Sequence, residues 1–124
     1  MVTKERLRAI KKLHESKERA EKGLFLIEGV RLIEEAVKEG ISIDEALYTA
    51  RIEESTRGSQ LLASLKKRHT PLSQVTEKAM ESISKTESPQ GILAVARQLK
   101  WTFKDLIKNK ETVIIACGLQ DPGN

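Results

Sequence analysis

Cysteine occurs once in the 124 residues, at Cys117, so there is no internal disulfide and no cysteine pair to hold zinc, which excludes a disulfide scaffold and a zinc finger. A reducing, cytoplasmic setting is the expectation. Long apolar runs are missing too: none approaches the ~18–20 residues that cross a bilayer, and residues 1–12 are charged helix formers without the apolar core of a signal peptide. Neither membrane insertion nor secretion is expected. Of the two histidines, His14 falls on a charged helix and His69 beside Arg68 at a strand start. No Ser-His-Asp set, carboxylate pair or metal cluster assembles around either, so both read as structural and no metal is expected.

What the chain does have is charge, unevenly placed. Its net charge is +4, with 39% hydrophobic and 32% charged residues, the composition of one soluble domain. Residues 1–22 hold eight Lys/Arg against four Glu, an excess equal to the whole net charge. Thr3 is placed to cap a first helix running to about Ala20. At ~100° per residue, Leu7, Ile10, Leu13, Ala9 and Ala20 share one side, while Lys4, Arg8, Lys11, Lys12 and Arg19 gather on the other, with Glu15 among them. Two readings stand: an ordinary solvated face, or a surface for an anionic partner, nucleic acid before membrane because no bulky apolar face accompanies it.

The remainder alternates strand and helix. Leu24–Ile27 is a short apolar run ended by Glu28-Gly29, after which Val30, Ile33, Ala36 and Val37 recur at helical spacing up to Gly40. A second strand is expected at about Ala46–Thr49, and a polar stretch with Arg57-Gly58 precedes a helix holding Leu61, Leu62 and Leu65 that ends in Lys66-Lys67-Arg68, basic residues suited to a helix C-terminus. Residues 69–75, with Pro71, suit a short edge strand, and Thr76 can cap a helix presenting Ala79, Met80 and Ile83. Residues 86–91 form a turn in which Pro89 holds Ser88 extended, and Ile92–Ala96 is a buried strand. This alternation predicts an α/β fold, a three-layer α/β/α sandwich on a mainly parallel sheet. Residues 97–110 then read as a polar linker with a short helix, Trp101 and Phe103 either pinning it to the domain or stacking on bases. Residues 112–117 are a new apolar strand, closed by Cys117 as a small hydrophobe, that opens into a glycine-rich turn, so the sequence is expected to break off inside the first unit of a second domain.

Three segments carry a resemblance. Phe25-Leu26-Ile27-Glu28-Gly29 with Arg31-Leu32-Ile33-Glu34-Glu35-Ala36, then Thr86-Glu87-Ser88-Pro89-Gln90-Gly91-Ile92-Leu93-Ala94-Val95, then Gln120-Asp121-Pro122-Gly123-Asn124 occur in the order found in the SpoU (TrmH-like) branch of the SPOUT RNA 2'-O-ribose methyltransferases, which this chain resembles along nearly its whole length. The resemblance implies an RNA substrate-binding domain over residues 1–97, similar in fold to the small ribosomal proteins that bind kinked RNA, a linker over 98–110, and the beginning of the SPOUT catalytic domain over 111–124. It also implies S-adenosylmethionine as methyl donor, ribosomal or transfer RNA as substrate, and a homodimer formed through the catalytic domain. Asn124 matches the start of a catalytic motif whose following glycine and arginine are absent here, as is the donor site, so these 124 residues alone are expected to be inactive. A ribose 2'-hydroxyl is a weak nucleophile that needs in-line positioning and help in losing its proton; no residue here is assigned that role.

The expected RNA-binding residues are Lys4, Arg8, Lys11 and Lys12 on the first helix, Glu28, Gly29 and Arg31 at the strand-to-helix turn, and Gln90 and Gly91 before the last strand. The turn sits where free helix N–H groups and the dipole attract phosphate, and Arg31 adds a possible bidentate contact. Alternatively Gly29 merely permits the turn and Glu28 accepts its N–H groups, since a carboxylate repels phosphate and meets RNA only at base edges. Gln90 and Gly91 pose the same choice. A free-standing RNA-binding module and an acid-binding protein-interaction domain remain the alternative functions.

Overall fold

The computed structural model describes residues 2–87 and 89–98. Ser88, the linker with Trp101 and Phe103, the strand with Cys117 and the segment ending in Asn124 lie outside the described residues. The elements follow as α1 (Lys4–Lys12), α2 (Ser16–Lys22), β1 (Leu24–Glu28), α3 (Val30–Lys38), β2 (Ile43–Tyr48), a 3-10 turn (Ala50–Glu54), α4 (Thr56–Lys67), β3 (Leu72–Gln74), α5 (Glu77–Ile83) and β4 (Ile92–Arg97).

One four-stranded sheet, in the order β1-β4-β2-β3, is covered on both faces. Alternate residues of β4 divide between two cores: Ile92, Ala94 and Ala96 join Phe25, Ile27, Ile33 and Leu65 under α3 and α4, while Leu93 and Val95 join Ile10, Leu13, Met80 and Ile83 under α1 and α5. A strand buried on both faces has no polar alternation to show, which is why Ile92–Ala96 is an unbroken apolar run. The three-layer sandwich is thus present.

The sheet is not mainly parallel. Among the described strands only β2 and β3 pair in parallel, Ala46 opposite Leu72; β4 runs antiparallel to both neighbours, with Val95 opposite Leu26 and Ala94 opposite Ala46. The connection through α5 stays at one edge of the sheet. Helices α3 and α4 are nine and twelve residues long and carry the chain back across the sheet to begin β2 and β3. Helix α5 has seven residues, ~10 Å at 1.5 Å per residue, and both its ends stay at the edge where β1, β2 and β3 finish. Before it, the Val75 amide donates to Tyr48 O at 2.8 Å; after it, the Lys85 amide donates to Glu28 Oε2 at 3.1 Å. From that edge the next strand can only run the opposite way.

The first helix also differs from expectation, ending at Lys12 instead of near Ala20. Thr3 caps it, accepting from the Arg6 amide at 3.1 Å. At its other end Ile10 and Leu13 are buried, and the His14 ring Nε2 meets Ile83 O at 2.6 Å. The Arg19 guanidinium donates to Leu13 O at 3.1 Å and His14 O at 2.7 Å, occupying carbonyls that a continuing helix would have used. Ala9 and Ala20 are therefore exposed, and Glu15, the N-terminal residue capping α2, lies off the basic face of α1. The expected polar stretch before α4 is shorter than predicted, because Ser55 caps a helix whose first turn already contains Arg57 and Gly58.

Candidate nucleic-acid interface

Two neighbouring features assemble along the strand-end edge. The first is the junction of β1, β4 and α3. Gly29, at φ +96°, lets the chain turn directly from strand to helix, and its amide donates to Ile92 O at 3.2 Å. The Gln90 side chain accepts from the Val30 amide at 3.1 Å and so caps α3; an added Cβ on Gly29 would stand 2.9 Å from Gln90 Oε1. Gly91, at φ +94°, offers its carbonyl to the Thr49 amide at 2.9 Å, and the Arg51 guanidinium donates to Pro89 O. Glu28, Gly29, Gln90 and Gly91 are thus brought together, with Arg31 exposed on the first turn of α3.

Their partners refine the sequence reading. One helix N–H expected to be free for phosphate is held by Gln90. Glu28 does not accept the N–H groups of its own turn: its carboxylate takes the Ser84 hydroxyl and the Lys85 amide, tying the end of α5 to the end of β1. The Arg31 and Leu32 amides are the first-turn donors without a partner among the described residues.

The second feature is the outer side of α1. Lys4, Arg8 and Lys11 line a groove against Ser82 of α5, about 220 Å³ in volume; Lys12 is exposed on the last turn. None of the four makes an ion pair among the described residues. The pairs present use Arg6 with Glu45, Arg57 with Glu34 and Arg97 with Asp44. For Arg57 and Arg97, the side-chain hydrogen bond first and the nearby carboxylate charge second push the guanidinium pKa up. Those arginines have carboxylate partners, as does Arg6 on α1, whereas Lys4, Arg8, Lys11 and Lys12 have none among the described residues.

Beside this groove, and sharing Leu7 with it, a wider cleft of about 640 Å³ opens between α1, the ends of β2 and β3 and the start of α5. Thr49, Ala50, Gln74, Val75 and Glu77 are among its lining residues. Thr49 is 1% exposed and its Oγ1 has no partner among the described residues. Sequence reasoning missed this cleft, because its walls come from three separated stretches, 2–7, 49–50 and 74–79, which the pairing of β2 with β3 and the packing of α1 on α5 bring together. No group of three or more His, Cys, Asp or Glu among the described residues is placed to hold a metal ion, and no described helix is long and apolar enough to cross a membrane.

Residues 4–94 match the family model described as the MRM3-like substrate binding domain. The chain belongs to that family. It is 33% identical over 115 residues to the 23S rRNA (guanosine(2553)-2'-O)-methyltransferase RlmP of Bacillus subtilis, covering 92% of this chain and 41% of RlmP. The structure of an RNA 2'-O ribose methyltransferase superimposes with a TM-score of 0.71 at 30% identity, over 83% of this chain and 38% of that one. The SpoU methyltransferase AviRb of Streptomyces viridochromogenes, solved with AdoMet, shares the fold with a TM-score of 0.67 at 22% identity, over 82% of this chain and 36% of AviRb. The chain therefore spans about two-fifths of the length of the relatives it matches, and its resemblance to the SpoU methyltransferases is borne out.

Proposed function

We propose that this chain is the RNA-holding domain of an RNA 2'-O-ribose methyltransferase that takes its methyl group from S-adenosylmethionine, acts on ribosomal or transfer RNA and pairs as a homodimer through a catalytic domain. The observation that carries the reading is the basic row Lys4, Arg8, Lys11 and Lys12, without an ion-pair partner among the described residues, on a chain of the MRM3-like substrate-binding family. The row supplies phosphate contacts, and the Gly29 turn, with Arg31 and two helix amides that have no partner among the described residues, supplies a further anion-attracting corner. The described residues do not fit the methyl donor. Its sulfonium is a cation, the groove is lined by cations, and the glycine turns at the strand ends are closed by Gln90 and Thr49. No chemical step is assigned to them, and Asn124 is proposed only as the beginning of the catalytic motif.

Salt dependence tests the proposal. Four phosphate contacts give a slope of log affinity on log salt of about −3, a drop of roughly 60-fold between 50 and 200 mM salt. Changing Lys4, Arg8, Lys11 and Lys12 together to glutamine flattens the slope and leaves the thermal midpoint nearly unchanged, since all four side chains are exposed. A flat salt response of the unaltered chain refutes the reading; a steep slope that survives the quadruple change moves the interface off α1.

A further inference from the structure

We propose that the cleft between α1, the ends of β2 and β3, and α5 receives the base of one unpaired nucleotide, while the phosphates flanking it lie on Lys4, Arg8 and Lys11. The inference rests on the RNA-holding reading above and adds to it a substrate class, RNA with an unstacked base at the contact, and a place for that base.

Charge orients the occupant. The groove and the cleft adjoin at Leu7, and on α5 they are faced by Ser82 and Ala79, one helical turn apart. The groove carries three cations with no ion-pair partner among the described residues, which draw phosphate. The cleft carries no cation among its lining residues and one carboxylate, Glu77, which repels phosphate. A nucleotide lying across the boundary at Leu7 is thus sorted by its own chemistry, backbone to the groove and base to the cleft. The walls suit a base: Leu7, Ala50, Val75 and Ala79 offer apolar surface to its faces, and Gln74 and Glu77 offer an amide and a carboxylate to its polar edge. At about 640 Å³ the space falls within the ~300–1,000 Å³ of small-ligand sites. A base-paired stem cannot use such a cleft, because its bases are stacked and its edges are engaged.

The test uses the whole 124-residue chain and two hairpin RNAs, one with an intact loop and one whose loop nucleotides are abasic. The intact hairpin binds about tenfold more tightly, the low end of what one stacked base contributes. Ala50→Trp, an exposed position on the cleft wall, fills the space, so the tenfold difference disappears while affinity for the abasic hairpin is unchanged. Equal affinity of the unaltered chain for the two RNAs overturns the proposal but leaves the RNA-holding reading intact; a cleft occupied by protein, whether a second copy or another partner, gives that result. No salt-dependent affinity for either hairpin overturns both. Should Ala50→Trp fail to fold, 4-thiouracil in the loop gives the same decision without a substitution: cross-links to residues 74–79 support the cleft, and cross-links confined to Lys4, Arg8 and Lys11 refute it.

Discussion

Gly58→Ala reverses the effect that helix propensity alone predicts. In an ordinary helix interior the change stabilises by ~1 kcal/mol. Here the new Cβ would stand 2.1 Å from Ile52 O, 2.7 Å from Ser55 Oγ and 2.9 Å from Ile52 Cγ1. The first atom is backbone of the 3-10 turn, so relieving an overlap of ~1 Å means moving the turn against α4, and such overpacking costs ~1–3 kcal/mol. Ser55 Oγ also accepts the Gly58 amide at 2.9 Å, and disturbing that cap costs ~1 kcal/mol more. Against the propensity gain, the net loss is ~1–3 kcal/mol, a fall in melting temperature of ~5–20 °C. Thermal unfolding followed by circular dichroism measures it, and urea titration separates a change in midpoint from a change in slope. Ala63→Gly, exposed on the same helix, calibrates propensity by itself at ~1 kcal/mol of loss. A melting temperature for Gly58→Ala at or above that of the unaltered chain refutes the close approach. The same turn begins with Ala50 and Arg51 at the cleft and the strand-end junction, so this packing also holds part of the interface.

Two further changes test the interface region. Thr49→Val keeps the shape of a fully buried side chain and removes a hydroxyl with no partner among the described residues; it should raise stability by ~0.5–1 kcal/mol, and a lower melting temperature would mean that the hydroxyl is bonded. Gln90→Ala deletes the acceptor that caps α3, costing ~0.5–1 kcal/mol and speeding hydrogen exchange of the Val30 amide ahead of the rest of the helix; unchanged protection of that amide would show that Gln90 does not hold it.

Much of the fold was legible because it is local. The Thr3 and Thr76 caps, the helix stop at Gly40 and the apolar run Ile92–Ala96 each follow from side chains a few residues apart, and each is present. The errors are non-local. The extent of the first helix depends on His14 reaching Ile83, 69 residues on, and nothing in the 3.6-residue period reports such a contact. The role of Glu28 was equally hidden, since its partners Ser84 and Lys85 are more than fifty residues away. The basic row on α1 could be found from charge counting alone, because solvated cations depend on nothing but their own helix.

The misjudged strand direction and the shape of the interface are one matter. Had α5 returned the chain to the far edge, as a parallel sheet requires, residues 89–91 would begin β4 at the edge where β1 starts, a strand's length from Gly29. Gln90 could not then cap α3, Gly91 could not receive the Thr49 amide, and Arg51 would have no Pro89 carbonyl to bind. The seven-residue α5 also leaves its own outer side next to α1, which is where the basic groove and the cleft meet at Leu7. A lengthened α5 should therefore disturb the strand-end junction and the α1 groove together, although no residue of either had been changed. The strand-end junction and the groove thus both depend on the α5 connection staying at one edge of the sheet, where Glu28 holds its end through Ser84 and Lys85.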